Sequence, residues 1–552
     1  MPGPFRKPLR PALWRRLKAG SAESASSGGQ GKKDVPYPPL DHYTLTSDIS
    51  HNLRQLEEIF KNSSDVVKRD FFIGGQAKAA VVYIDGLADK KLIEDTLLRT
   101  LQHAPPGLSR TLADRTAPWD RLMEIIVPMA DVAPIDTIAD IVNHVLTGDA
   151  VLLFEGYNKA LATSTRSWEH RSITEPLAEG SVRGSREGFV ENLRTNTALI
   201  RRRLKTPALK IENLSLGRYS QTNVSLAYLE TLADPALLKE VRRRLERINA
   251  DGILESAYIE EFIEDNPLSP FPQIDHTERP DKVAAALLEG RVALLIDNTP
   301  FALLVPTVFV QFLQASEDYY ERYWLASFLR LVRFVVLNVA LLLPSAYVAV
   351  STFHQEMLPT NLLIRLAAQR EGIPFPALAE ALLIELTFEV LREAGLRLPR
   401  LVGQAVSIVG ALVIGEAAVS AGLFSPAMVI VVALTGISSF ALPKYSMAIT
   451  VRLLRFVMLL LAGVLGFYGI MLGLLAILVH LTTLRSFGVP YLSPVAPYHI
   501  QDFKDVFIRA PRWVQDTRPE QIGYRDLVRQ EEGLKPAPPD GERRSPRGGR
   551  RP

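Results

Sequence analysis

The sequence predicts a multidomain membrane protein, with an α/β N-terminal soluble region of two subdomains followed by an all-α transmembrane bundle. Three observations carry that prediction. A charged first half gives way after about residue 325 to long apolar runs. The first half alternates short β-type runs with amphipathic helical stretches. A chain of 552 residues also exceeds what one domain of about one to two hundred residues holds.

Residues 1–36 read as a disordered basic tail, with Arg6, Lys7, Arg10, Arg15 and Arg16 before a Ser/Gly-rich stretch, and no continuous apolar segment of a signal peptide. In the first subdomain, 37–150, an amphipathic helix over 49–60 precedes a buried strand over 79–85 and a helix over 92–101; a second amphipathic helix covers 135–146. The second subdomain, 151–313, opens on the strand 151–154. It continues through charged helices over 191–204 and 235–249 and a linker marked by Pro267, Pro270 and Pro272. The apolar runs 292–296 and 301–305 flank Asp297-Asn-Thr-Pro300, a turn signal that reads as a hairpin and not a membrane span.

The membrane domain is expected over 314–490. Its first span, 331–353, is about 35 Å of helix, enough for a hydrocarbon core of about 30 Å. Tyr319, Tyr320, Tyr323 and Trp324 with Arg322, Arg330 and Arg333 mark its start as the cytoplasmic end, which makes the soluble region cytoplasmic as well. Pro344 predicts a kink. Further spans are expected over 404–421, 425–442 and 453–482, the last long enough that it must tilt, bend or protrude. Within it Gly466, Gly469 and Gly473 form a stripe that admits close helix packing, although glycine is common in membrane helices anyway. A helix over 377–395 gathers Glu385, Glu389, Arg392 and Glu393 on one sector; it lies on the surface, dips in or crosses. Excluding it gives four spans with both termini inside, which the basic tail favours although Lys444, Arg452 and Arg455 then face outward; including it gives five and moves the C-terminus outside. Residues 491–552 read as a cytoplasmic basic, Pro-rich tail suited to an anionic lipid surface.

Composition excludes several functions. There is no cysteine, hence no disulfide or thiolate chemistry, and nine histidines are scattered without a His-x-x-x-His pair. Phosphate-loop, dinucleotide and nucleophile-elbow motifs are absent, so the reading is no enzyme, no metal and no cofactor. A net charge of +3 does not suggest a nucleic-acid binder. The candidate ion-path residues are acids at membrane depth. Glu416 follows the apolar run Ile408-Val-Gly-Ala-Leu-Val-Ile-Gly415, and Glu385 and Glu389 sit on the amphipathic helix. Such acids face water or a partner, and a ring of them passes cations; the alternative is an interfacial, protonated or arginine-paired acid. Arg171, Glu175, Glu179, Arg183, Arg186 and Glu187 read either as an anion site or as an ion-pair network between subdomains.

Certain segments carry a more specific resemblance. They are Thr352-Phe-His-Gln-Glu-Met-Leu-Pro359, Arg370-Glu-Gly-Ile-Pro-Phe-Pro376, Arg392-Glu-Ala-Gly-Leu-Arg-Leu-Pro399, Ser407-Ile-Val-Gly-Ala-Leu-Val-Ile-Gly415 and Arg485-Ser-Phe-Gly-Val-Pro-Tyr-Leu492. In order and spacing they resemble the A subunits of GerA-family spore germinant receptors, as do Ser316-Glu-Asp-Tyr-Tyr320 and Arg183-Gly-Ser-Arg-Glu-Gly-Phe189, where the family more often has proline at Ser185. The likeness runs from about Asp70 to Arg518. It implies a component of the spore inner membrane working with a transporter-like B subunit and a lipoprotein C subunit. In that family the B subunit is thought to bind the nutrient, while A subunits form homo-oligomeric, ligand-gated cation channels. A paralogous A-like protein that amplifies ion release beside the dipicolinate release system resembles the same family. Readings of another class are a non-conducting scaffold and a secondary transporter, the latter without a visible internal repeat.

Overall fold

The computed structural model of the chain describes residues 40–103, 132–166, 176, 179–397, 410, 413–522, 525–531 and 533–536. The tail 1–36, Arg171 and Glu175, and residues 404–409, 411 and 412 of the expected span 404–421 lie outside them.

In the first subdomain, helix α1 (Ile49–Ile59) starts where the Asp48 carboxylate accepts the Ser50 N–H at 2.8 Å, and it buries Ile49, Leu56 and Ile59. Strands β1 (Val66–Ile73) and β2 (Ala77–Ile84) form an antiparallel hairpin turned by Gly74 and Gly75, both at positive φ. After β3 (Val132–Ile135), helix α2 (Ile138–Thr147) packs its Ile and Val face on the sheet and ends at Gly148. Strands β4 (Ala150–Phe154) and β5 (Ala160–Thr163) complete a five-stranded sheet of order β1-β2-β4-β5-β3. Because β4 pairs with β2, from Ala79 opposite Phe154 to Val82 opposite Val151, the expected boundary at 150/151 falls inside one sheet. An all-apolar strand buried on both faces carries no mark of which strand it joins.

The second sheet, in the strand order Leu209–Leu216, Thr222–Leu229, Val292–Ile296, Ala302–Val305 and Asp275–Thr277, is also antiparallel throughout. Helix α3 (Leu193–Arg203) leads into β6 (Leu209–Leu216) and β7 (Thr222–Leu229), which fall in a stretch the sequence reading gave to charged helices. Their polar residues disguise them: Lys210 donates to the Ile59 carbonyl at 3.0 Å, and Glu212 accepts from Tyr228 and Arg242 at 2.6 and 2.9 Å. Helices α4 (Pro235–Glu246) and α5 (Ser256–Ile263) follow, then β8 (Asp275–Thr277) and α6 (Pro280–Leu287). Strands β9 (Val292–Ile296) and β10 (Ala302–Val305) pair across the Asp297–Pro300 turn, with Asn298 in the left-handed region. Buried Arg201 bonds both oxygens of buried Asp65, at 2.7 and 2.9 Å, and ties the two subdomains together.

The helical region comprises α7 (Tyr323–Thr352), α8 (Thr360–Arg370), α9 (Ala377–Arg397), α10 (Pro426–Phe440) and α11 (Tyr445–Thr483). Of these, α7 with 30 residues and α11 with 39 are long and apolar enough to cross a membrane. Both expose large apolar side chains, among them Phe328, Leu331 and Val335 on α7 and Val457, Val464 and Leu475 on α11, so they are not the buried helices of a soluble core. The run α11 is not one straight helix. At Gly466, φ 63° and ψ −141°, the chain doubles back, and the arms 445–465 and 467–483 pack antiparallel. A Cβ on Gly469 would stand 2.1 Å from the Leu461 carbonyl oxygen, and one on Gly473 would stand 2.4 Å from the Met458 sulfur. The glycine stripe therefore packs against the first arm of its own run.

Beyond α11, Ser486 donates to the Gln273 carbonyl and accepts from the Thr307 N–H, while Tyr491 is fully buried among Phe271, Phe312 and Leu481. Arg518 bonds the Leu288 carbonyl at 2.9 Å, and Arg529 pairs with Glu289 at 3.0 Å. The expected basic, Pro-rich tail from 491 is thus docked on the second subdomain at Arg518 and Arg529. Buried Tyr491, Val506 and Ile522 supply the apolar surface that its basic, proline-rich composition hid.

Candidate functional site

Helix α9 runs beside α10 and antiparallel to the first arm of α11. Glu380 accepts from the Ser425 N–H and hydroxyl at 2.6 Å; further along, Phe388 packs on Gly436 and the Arg392 guanidinium lies over the Phe440 ring at 5.0 Å. Against α11, Leu378 meets Gly463 and Glu389 meets Arg452. Buried Ala377, Ala381 and Ile384 face Val348, Met428 and Leu459, while Leu383, Leu386 and Val390 point outward. The helix is therefore apolar on its outside and acidic on its inside, the reverse of a helix that floats on a bilayer.

Its acids converge on three arginines. Arg455 reaches Glu385 at 3.1 Å and Glu389 at 3.2 Å; Glu389 also pairs with Arg452 at 3.3 Å and Arg392 at 3.2 Å. Glu385 and Arg455 are each about 1% exposed in their side chains. The pairing is imperfectly aligned: both Glu385 oxygens, Nε and Nη1 of Arg455, and Nε and Nη2 of Arg392 are buried without a hydrogen-bond partner. A knot of two carboxylates and three guanidiniums, held this loosely away from bulk solvent, is a place where water would complete the bonding. Glu416 is apart from it, exposed on the short helical stretch Val413–Ala417.

A family model described as "Bacillus/Clostridium GerA spore germination protein" matches residues 54–521. The chain belongs to the GerA family. Among relatives, spore germination protein KA of Bacillus subtilis is 46% identical over 90% of both chains. Spore germination protein GerLA of Bacillus cereus is 41% identical over 87% of this chain and 97% of its own. The crystal structure of the N-terminal domain of the A subunit of the Bacillus megaterium spore germinant receptor GerK3 aligns at 37% identity and a TM-score of 0.38, covering 49% of this chain and 98% of that one.

In this GerA-family chain the residues read as one ion-pair network separate. Glu187 pairs with Arg202 and Arg203 on α3, at 3.2 and 2.8 Å; Arg183 is exposed; Glu179 contacts Lys444 at the start of α11. Around Lys444 lies a cluster that sequence reasoning missed. Its ammonium is 2.8 Å from Asp275, which Lys282 meets at 2.6 Å, and all three side chains are buried or nearly so. Burial pushes the Asp275 carboxyl up, but the charges of Lys282 and Lys444 outweigh it and hold the group well below the usual carboxylate range. Burial lowers Lys282 to about 8, against the pull of Asp275. A second missed cluster joins Asp318 to Arg330 at 3.0 Å and to Arg333 at 2.7 Å, with Arg330 also 2.7 Å from Asp505. These arginines, read as interfacial positive charges, are buried clamps between the soluble region, α7 and the docked C-terminal segment. Their partners lie up to 175 residues away, which no local pattern reports.

Proposed function

We propose that this chain is the A subunit of a spore germinant receptor in the spore inner membrane, forming or gating an oligomeric cation channel that opens in response to nutrient. Its partners are further copies of itself, a transporter-like B subunit, a lipoprotein C subunit and membrane lipid. The soluble region faces the cytoplasm. GerA membership supports the receptor assignment, and the contacts support a consistent crossing scheme. Lys444 beside Glu179 and His480 beside Ser269 put both ends of α11 next to the soluble region, while Gly466 adjoins Phe353 and His354 at the distant end of α7. With α9 and α10 both returning from that distant end, the crossings among the described residues are 323–352, 377–397, 426–440, 445–465 and 467–483. Lys444 then lies at the soluble-region end, in accord with the positive-inside bias, while Arg455 falls midway along the 445–465 arm, where Glu385 and Glu389 compensate its charge.

The exposure of Glu416 carries the channel reading. A carboxylate at the end of an apolar run is costly against lipid and is stabilised by a water-filled path or a neighbouring subunit. Glu385 and Glu389 are compensated by arginines within the chain and serve to hold α9 on α11. The test is cation flux through the purified protein with its B and C partners in liposomes, comparing Glu416→Gln with Glu385→Gln/Glu389→Gln. The expected outcome is altered cation selectivity in the first and reduced assembly in the second. Absence of flux from a correctly assembled complex under inducing nutrient would make the protein a non-conducting scaffold.

A further inference from the structure

Between the second soluble subdomain and the docked C-terminal segment lies a cavity of about 630 Å³, built from α6, the strand ends around Arg291 and Leu304, the 311–320 stretch, and Arg509, Arg512, Arg518, Arg529 and Gln530. Its charge is one-sided. Lys282, Arg291, Arg509, Arg512, Arg518 and Arg529 line it against three carboxylates, Asp275, Asp281 and Glu289. The carboxylates are spoken for: Asp275 is held by Lys282 and Lys444, Asp281 by Arg279 at 2.8 Å, and Glu289 by Arg529 at 3.0 Å. The cations are not used up. Arg291, 3% exposed and paired with Glu289 at 3.3 Å, and Arg509, 6% exposed, each keep a buried Nε–H without an acceptor among the described residues, while among those residues the Arg512 guanidinium at the rim bonds only Gln515. Burying guanidinium N–H groups without acceptors is costly, and two residues that line the cavity, one on each side of it, carry such a group.

We propose that this cavity binds a phosphate-bearing anion, with the guanidiniums of Arg509, Arg512 and Arg529 as its principal ligands. Planar guanidiniums donate in pairs to phosphate oxygens, which a lysine-lined or neutral cavity would not do. The volume admits more than one phosphate group. The site also has a position from which to act. Arg509 is anchored beside α7, where its N–H donates to Ser327 at 3.1 Å, and Arg529 grips Glu289 on the subdomain. An occupant bridging them fastens the C-terminal segment to the soluble region at the point where the chain enters the helices. This stands apart from the ion-conduction reading, since it concerns only a binding site in the soluble region.

The experiment uses the full chain in nanodiscs of zwitterionic lipid, titrated with inorganic tripolyphosphate and followed by calorimetry, and in parallel nanodiscs containing phosphatidylglycerol, followed by the unfolding midpoint. Wild type is compared with Arg512→Gln/Arg529→Gln, whose side chains are at the rim or partly exposed, and separately with Arg509→Gln. The expected result is saturable binding weakened about tenfold or more by the rim pair. Tripolyphosphate binding identifies a soluble occupant; stabilisation by phosphatidylglycerol alone, lost in the same variants, identifies a lipid headgroup. No saturable binding and no lipid-dependent shift would overturn the proposal, as would equal binding by the folded rim variant.

Discussion

Replacing Gly469 by alanine tests the folded-back shape of α11 directly. The new Cβ would lie 2.1 Å from the Leu461 carbonyl oxygen and 2.6 Å from its carbon, where an ordinary contact is 3.4 Å or more. Both obstructing atoms are backbone, so a rotamer change cannot relieve the overlap, and the two arms must part by about 1 Å. That displaces Met458 and Ala462 of the first arm from Ile470 of the second. Overpacking costs about 1–3 kcal/mol even where side chains can adjust, so about 3 kcal/mol or more is expected here, roughly two orders of magnitude in the folding equilibrium. Gly473→Ala provides the comparison: its Cβ meets the Met458 sulfur at 2.4 Å, the end of a flexible side chain, and about 1 kcal/mol is expected. Gly466→Ala falls between, because φ 63° with ψ −141° is a glycine region worth about 1–3 kcal/mol. The assay is denaturant unfolding of the purified protein in mild detergent. Gly469→Ala within about 0.5 kcal/mol of wild type, or less harmful than Gly473→Ala, would refute the hairpin, since in a straight helix neither Cβ meets the first arm.

The remaining predictions concern other links of the same chain of cause. Arg201→Ala leaves Asp65 buried without its bidentate partner and should cost about 3–5 kcal/mol, read as a lowered thermal midpoint and faster proteolysis between the two subdomains. Glu260 on α5 is pushed up to about 8 by burial, and then by Glu264 and Asp275. Its folded pKa exceeds the unfolded value, so stability should decline as pH rises from about 4.5 to 8, and Glu260→Gln should flatten that decline by on the order of 2 kcal/mol in thermal scans. Because the chain has no cysteine, single cysteines at Met357, Leu423 and Tyr258 can be labelled with an impermeant maleimide in oriented vesicles. Met357 and Leu423 should react from one side and Tyr258 from the other; labelling of all three from one side would refute the crossing scheme.

The sequence by itself determined where the chain changes from soluble to membrane character, the hairpin at Asp297–Pro300, the helices α1, α2, α3 and α4, and the GerA-type resemblance. Each is written locally, in apolar period, turn residues or a contiguous motif. Tertiary structure decided everything that depends on which distant residue answers a local one. The strand 150–154 joins the first sheet and not the second because β2 offers it an antiparallel edge. Polar β6 and β7 are strands because Ile59, Tyr228 and Arg242 satisfy Lys210 and Glu212. The long apolar run 453–482 fixes only length; its reversal at Gly466 follows from a single pair of dihedral angles and from what Gly469 and Gly473 touch. The helix α9, undecided between surface and interior, is drawn inward because Arg452 and Arg455 stand opposite its acids. A carboxylate reads the same in sequence whether an arginine, a second subunit or water faces it. Only the fold, which brings charges many residues apart to within about 3 Å, distinguishes paired Glu385 and Glu389 from exposed Glu416.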